Sequence, residues 1–132
     1  MKNKLKKELK KLGVNTIYLF GSKAIRRASE LSDVDLGFVF KEIPAEEDIS
    51  FFYNNLYELF SEIFPDAKLD IVFLQRASLP LQYMAIKEGK VIFEDDLIFT
   101  ADYEYNVIKN YIDFAPILEM FDKIMFEKYV IA

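Results

Sequence analysis

The chain has no cysteine and no histidine in 132 residues. Without cysteine there is neither a disulfide framework nor thiol chemistry, and a cytoplasmic location is the default. Without histidine, the Ser-His-Asp triad, the Cys-His pair and nearly every zinc site are excluded. General acid and base work falls to Asp, Glu, Lys or Tyr, and the metal option left is a divalent cation held by oxygen. Long apolar runs are also missing. Ile71-Val72-Phe73-Leu74 is about as long as they get, far short of the roughly 20 residues of a membrane span. The opening Met1-Lys2-Asn3-Lys4-Leu5 has a basic flank but no apolar stretch behind it, which argues against a secretory signal. There are no repeats, low-complexity tracts or linkers.

A hydrophobic fraction of 52%, with Phe 13 and Tyr 8, argues against disorder, and the length fits one domain over residues 1–132. The net charge of −5 hides an asymmetry: residues 1–30 carry nine Lys/Arg against Glu8 and Glu30, and the rest is acidic. A solvated basic helix ahead of an acidic body accounts for this. So does a cationic side facing an acidic, metal-holding side. Broad nucleic-acid binding is disfavoured, because most of the surface would repel a polyphosphate backbone.

Leu5, Leu9 and Leu12 at helical spacing predict a basic helix over 2–12, stopped by Gly13. The β-branched and aromatic residues 16–20 read as a strand. Gly21 breaks it, Ser22 caps a brief helix to about Arg27, and 28–32 is a loop. Residues 33–40 form a second strand with Val34, Leu36, Phe38 and Phe40 on one face. A helix is expected over 45–64, with Glu46, Glu47 and Asp48 at its positive end. Its stripe would be Ile49, Phe52, Leu56, Leu59, Phe60 and Ile63, and Phe51 and Tyr53 would also pack on the sheet. A third strand spans 68–74, a helix 79–88, and a short strand 91–93. Helix resumes from about Phe99, with Pro116 kinking or dividing it.

A Gly-Ser step leaving a strand can present backbone N–H groups to a phosphate, but Gly21-Ser22 alone is equally an ordinary turn with a serine cap. Asp33 and Asp35, at i and i+2, share a strand face. Asp35 sits in an otherwise apolar strand, where a lone carboxylate is costly unless paired or metal-bound, and Asp70 repeats the anomaly on the next strand. Three carboxylates on adjoining strands would form a two-metal site for in-line phosphoryl chemistry.

Gly21-Ser22-Lys23-Ala24 through Ser32-Asp33-Val34-Asp35-Leu36 resembles the signature of the polymerase-β-like nucleotidyltransferases, specifically the minimal nucleotidyltransferase (MNT) group. The resemblance implies an α/β fold: a small mixed, mostly antiparallel twisted sheet with packed helices, as in that superfamily's palm core. It implies that Gly21 and Ser22 hold the triphosphate of ATP, and that Asp33 and Asp35 bind two Mg2+ ions. Asp70 would bind one of these and activate the attacking hydroxyl. Where the family commonly has a basic residue and then Gly, this chain has Ile25-Arg26. The change alters the helix start, or Arg26 or Arg27 supplies the displaced cation to the nucleotide. Arg76-Ala77-Ser78, the stretch from Ile86 to Glu94, and Tyr111 to Pro116 are similar to MNT antitoxins encoded with a HEPN-domain toxin.

The resemblance therefore implies an adenylyltransferase that moves AMP onto a hydroxyl, most plausibly a tyrosine, of a HEPN ribonuclease toxin and so blocks it, in a hetero-oligomer with no direct nucleic-acid or membrane partner. Two other readings remain: an antitoxin that silences its partner by binding alone, and a transferase acting on a small molecule such as an aminoglycoside. Ile108, Tyr111, Ile112, Phe114 and Ile117 exceed what one short helix needs to dock on a four-stranded sheet. Part of the C-terminal segment is thus expected to be an exposed patch that binds another chain.

Overall fold

The computed structural model describes residues 1–21 and 33–131, with side chains through residue 129. Helix α1 (Asn3–Lys11) leads through Gly13, whose φ of +78° only glycine adopts without strain, into β1 (Val14–Phe20). Strand β2 (Asp33–Phe40) follows, and then a 3-10 turn, Glu46–Asp48, runs into α2 (Ile49–Ile63). Next come β3 (Lys68–Phe73), a second 3-10 turn at Leu74–Arg76, α3 (Leu79–Glu88) and β4 (Lys90–Glu94). The long α4 (Leu97–Phe126) ends in a π turn at Glu127–Ile131.

The sheet order is β3-β2-β1-β4. β1 pairs antiparallel with β2 and β4, whereas β2 and β3 are parallel. The expected mixed, mostly antiparallel sheet is what the chain forms. Alternation along the strands divides the interior into two layers. On one face Ile17, Val34, Leu36, Phe38 and Phe40 pack with Leu9 of α1 and with Leu56 and Phe60 of α2. Phe60 meets Phe38 edge-on at 5.5 Å and Phe52 meets Phe40 at 5.6 Å, geometry that the ring quadrupoles favour. On the other face Tyr18, Phe20, Val39 and Leu74 pack with Ala85 of α3, and with Phe99 and Tyr103 of α4.

Several expectations are corrected. The helix over 45–64 is shorter, because its acidic start is held as a separate 3-10 turn. Phe51, Tyr53 and Ile63 stand in solvent, since the arc that fits the sheet is already filled by Phe52, Leu56 and Phe60. The third strand stops at Phe73, and Leu74 turns inward against Gly37. Pro116 does not divide the last helix, which runs through it unbroken. Five lysines of the N-terminal segment, Lys4 to Lys11, belong to a helix on the face that packs with α2, so they do not flank the Gly21 turn.

Helix α4 is fastened to β1 by a buried polar cluster. Asn15 Nδ2 donates to Thr100 Oγ1 at 3.0 Å, and Asn15 Oδ1 accepts from the Asp96 backbone N–H, also at 3.0 Å. Asp96 in turn caps the helix by accepting from Ile98 and Phe99, which satisfies orphan donors of its first turn. Two turns on, the Tyr18 hydroxyl donates to Glu104.

Candidate active site

Because side chains alternate, burying Val34, Leu36 and Phe38 on the α1/α2 face sends Asp33 and Asp35 to the opposite face, together with Gly37 and Val39. The same rule applied to Leu69 and Ile71 puts Asp70 on that face with Val72 and Leu74. The parallel register then sets Asp35 directly beside Asp70, and Asp33 beside Lys68. Neighbouring strands lie about 4.8 Å apart, so two carboxylates sit side by side and a third is one strand-repeat away. Asp33 and Asp70 are exposed, and Asp35 is half-buried.

The charges are felt most at Asp35. Burial pushes its carboxyl above the ordinary carboxylate range, and the negative charge of Asp70, a hydrogen bond with Asp70 and then the charge of Asp33 push the same way. Among the described residues, the ion pairs are Lys10–Asp95 and Lys41–Asp95, neither of them at this cluster.

Gly21 closes the site from β1. Its neighbour Phe20 pairs with Asp35. Its φ is +75°, and a Cβ built there would lie 1.9 Å from Asp35 Oδ2. Both facts demand glycine. The sequence suggests a phosphate-facing role for Gly21; it gives no hint of the carboxylate pressed against it, because that contact depends on β1–β2 pairing. Ser22, Arg26 and Arg27, the other nucleotide-binding candidates, lie outside the described residues, as does the short helix expected after the turn.

The donor set contains only carboxylate oxygens, which suits a hard divalent cation. Among the described residues no group of three or more acids closes round one point as it stands, in keeping with like charges spread along open strand ends. Tyr18, on the same face, is not a candidate base. Burial and the hydrogen bond to Glu104 push its phenol well up, so it keeps its proton. A cavity of about 730 Å³ lies between α1, α2 and the 41–45 connection and includes none of Asp33, Asp35 and Asp70.

Residues 3–98 match the sequence profile of the family Polymerase beta, Nucleotidyltransferase. The chain belongs to that family. Its fold is that of chains in several solved toxin–antitoxin complexes. One is an MntA-HpeT complex carrying two Asp-to-Glu changes, with 21% identity, a TM-score of 0.67, and 93% of this chain and 97% of that one covered. A toxin–antitoxin with AMP-PNP gives 20% identity and a TM-score of 0.66, with 91% and 98% covered. A tri-AMPylated Shewanella oneidensis HEPN toxin in complex with MNT antitoxin gives 20% and 0.61, with 95% and 99% covered. No curated protein matches the sequence. In this nucleotidyltransferase the aspartates of β2 and β3 share one face of the sheet, with Asp35 in register with Asp70.

Proposed function

We propose that this nucleotidyltransferase is an MNT antitoxin that transfers AMP from ATP to a tyrosine hydroxyl of a HEPN-domain toxin, silencing it in a cytoplasmic hetero-oligomer. The observation that carries this reading is the in-register pair Asp35–Asp70, with Asp33 on the same face and Gly21 against it. The solved relatives, among them an AMPylated HEPN toxin and a complex with AMP-PNP, support the choice of nucleotide and partner. Among the described residues no helix is long and apolar enough to cross a membrane.

Asp33, Asp35 and Asp70 are the residues that would hold two Mg2+ ions. When bound, such ions neutralise phosphate charge and stabilise the entering and leaving oxygens. Burial and then the charge of Asp70 raise the Asp35 carboxyl, and a cation would offset both by stabilising its charged form. Asp70 is exposed on the edge strand β3 and in this reading would take the proton of the acceptor hydroxyl. The hydroxyl oxygen bonds to the α-phosphorus, the bond from that phosphorus to the β-phosphate oxygen breaks, and the electron pair leaves with pyrophosphate. In this reading Gly21 and Ser22 would bind the triphosphate, and Arg26 or Arg27 would supply the cation.

The test is incorporation of labelled AMP from Mg·ATP into the co-purified HEPN protein. Asp33→Asn with Asp35→Asn abolishes labelling while the fold survives. Asp70→Asn keeps ATP binding and loses a factor of roughly 10² or more in rate. Labelling at the wild-type rate by the double variant refutes the three-carboxylate mechanism. A wild-type protein that never labels its partner yet still silences it is an antitoxin by binding alone.

A further inference from the structure

Helix α4 is far longer than the sheet it packs on. Its 30 residues span about 45 Å, against about 23 Å for a seven-residue strand such as β1. Thr100 lies at Thr16 and Glu104 at Tyr18, so the helix runs parallel to β1 and its second half projects beyond the end of β1, where Gly21 and the aspartates lie. Val107 is buried and Tyr111 stacks on Tyr83 of α3 at 3.9 Å. The same inward stripe continues at alternating three- and four-residue steps through Phe114, Leu118, Phe121 and Met125, with Ile117 and Ile124 along one flank. Over that stretch the stripe lies largely open among the described residues: Phe114, Ile117, Phe121 and Ile124 are 50%, 54%, 58% and 52% exposed, and Leu118 is half-buried.

Two properties of this surface identify its occupant. At 100° per residue the six side chains cover an arc of about 120°. That is wider than the strict a/d seam by which two helices join, and it is the width of a helix packed into a bundle. A second copy of the chain meeting this one along the seam would leave Ile117 and Ile124 in water. With large apolar side chains offering 150–250 Å² each when fully open, the half-open arc with Met120 presents roughly 600 Å². This exceeds chance exposure and approaches the ~800 Å² that one partner gives to a stable interface.

We propose that the second half of α4 inserts into the apolar groove between two helices of the partner protein, and thereby delivers the acceptor hydroxyl to the aspartate face from which the helix projects. This rests on the proposed function for the partner's identity. The sequence leads to a patch around Ile108–Ile117. The structure moves its centre toward the C-terminus: Ile112, though exposed, lies on the opposite side of the helix, and Ile108 lies outside the arc beyond Tyr111.

The experiment is co-purification with the HEPN-domain protein of its own organism. Ile117→Glu with Phe121→Glu is compared with Lys123→Glu, a change on the far side of the helix. The double variant is expected to lower recovery of the partner at least tenfold with an unchanged melt, while Lys123→Glu recovers it as wild type does. If the double variant does not fold, hydrogen exchange in the wild-type complex decides: slowing over 114–125 on complex formation supports insertion, and unchanged exchange there overturns it. Undiminished recovery by the folded double variant overturns it as well. So does a wild-type homodimer in sedimentation that the double variant dissociates, or binding to anionic vesicles that depends on the same two residues. Loss of AMP transfer with arc-dependent binding intact leaves insertion standing and refutes the transfer reaction alone.

Discussion

Replacing Asp35 by Asn should stabilise the cation-free protein. The change keeps the shape that rests on Gly21 and removes one of two charges held in register on β2 and β3. At a separation of about 5 Å the repulsion is about 3 kcal/mol for an effective dielectric of 20 and about 1 kcal/mol in water. Asp70 is exposed and Asp35 only half-buried, so the lower figure applies. A gain of about 1 kcal/mol raises Tm by about 3–5 °C for a domain of this size. The pH dependence carries the sign. The Asp35 carboxyl is pushed up in the folded state, by burial first and by Asp70 next. The folded protein therefore holds that proton more firmly than the unfolded chain does. This contribution favours folding at low pH, below the ordinary aspartate value of about 3.9, and is lost as pH rises through the raised value. The variant's advantage is expected in full at pH 7 and absent near pH 4. Added Mg2+ should reverse the order by stabilising wild type. Thermal melts in chelator and in Mg2+, from pH 4 to 7, measure all of this. A destabilised variant at pH 7 in chelator, or a difference that does not vary with pH, refutes the account of Asp35 as a charge under stress.

Gly21→Ala should both strain a backbone at φ +75° and drive a methyl into Asp35 Oδ2. A loss of about 1–3 kcal/mol is expected in denaturant titration, together with loss of AMP transfer from displaced carboxylates. Asn15→Ala removes the donor to Thr100 and the acceptor for the Asp96 N–H, while Thr100 keeps its bonds to Thr16 and the Asp96 carbonyl. It should cost about 1–2 kcal/mol and speed amide exchange in the first turns of α4 more than in β2.

The core strands and helices were legible because their apolar residues recur at the spacing that burial on one face requires. Asp33–Phe40 and Leu79–Glu88 have the ends that their pattern implies, and in the structure Ser78 and Gly89 cap α3. The departures occur where local signals compete with packing. An acidic 3-10 turn precedes α2, Leu74 leaves its strand to fill the space over Gly37, and Pro116 sits inside an intact helix.

For the candidate site, the sequence alone determined which carboxylates could act together, since i, i+2 spacing fixes a shared strand face and a charge in an apolar strand needs a reason to be there. It could not determine which strand lies beside which. Parallel pairing of β2 with β3, connected through a whole helix, is what sets Asp35 against Asp70, and antiparallel pairing of β1 with β2 is what presses Gly21 onto Asp35. The tertiary structure likewise decided that the basic helix α1 lies on the face away from the aspartates and that the apolar stripe of α4 outruns the sheet. Each of these depends on contacts between residues far apart in the chain, and periodicity reports only the face a residue occupies on its own element.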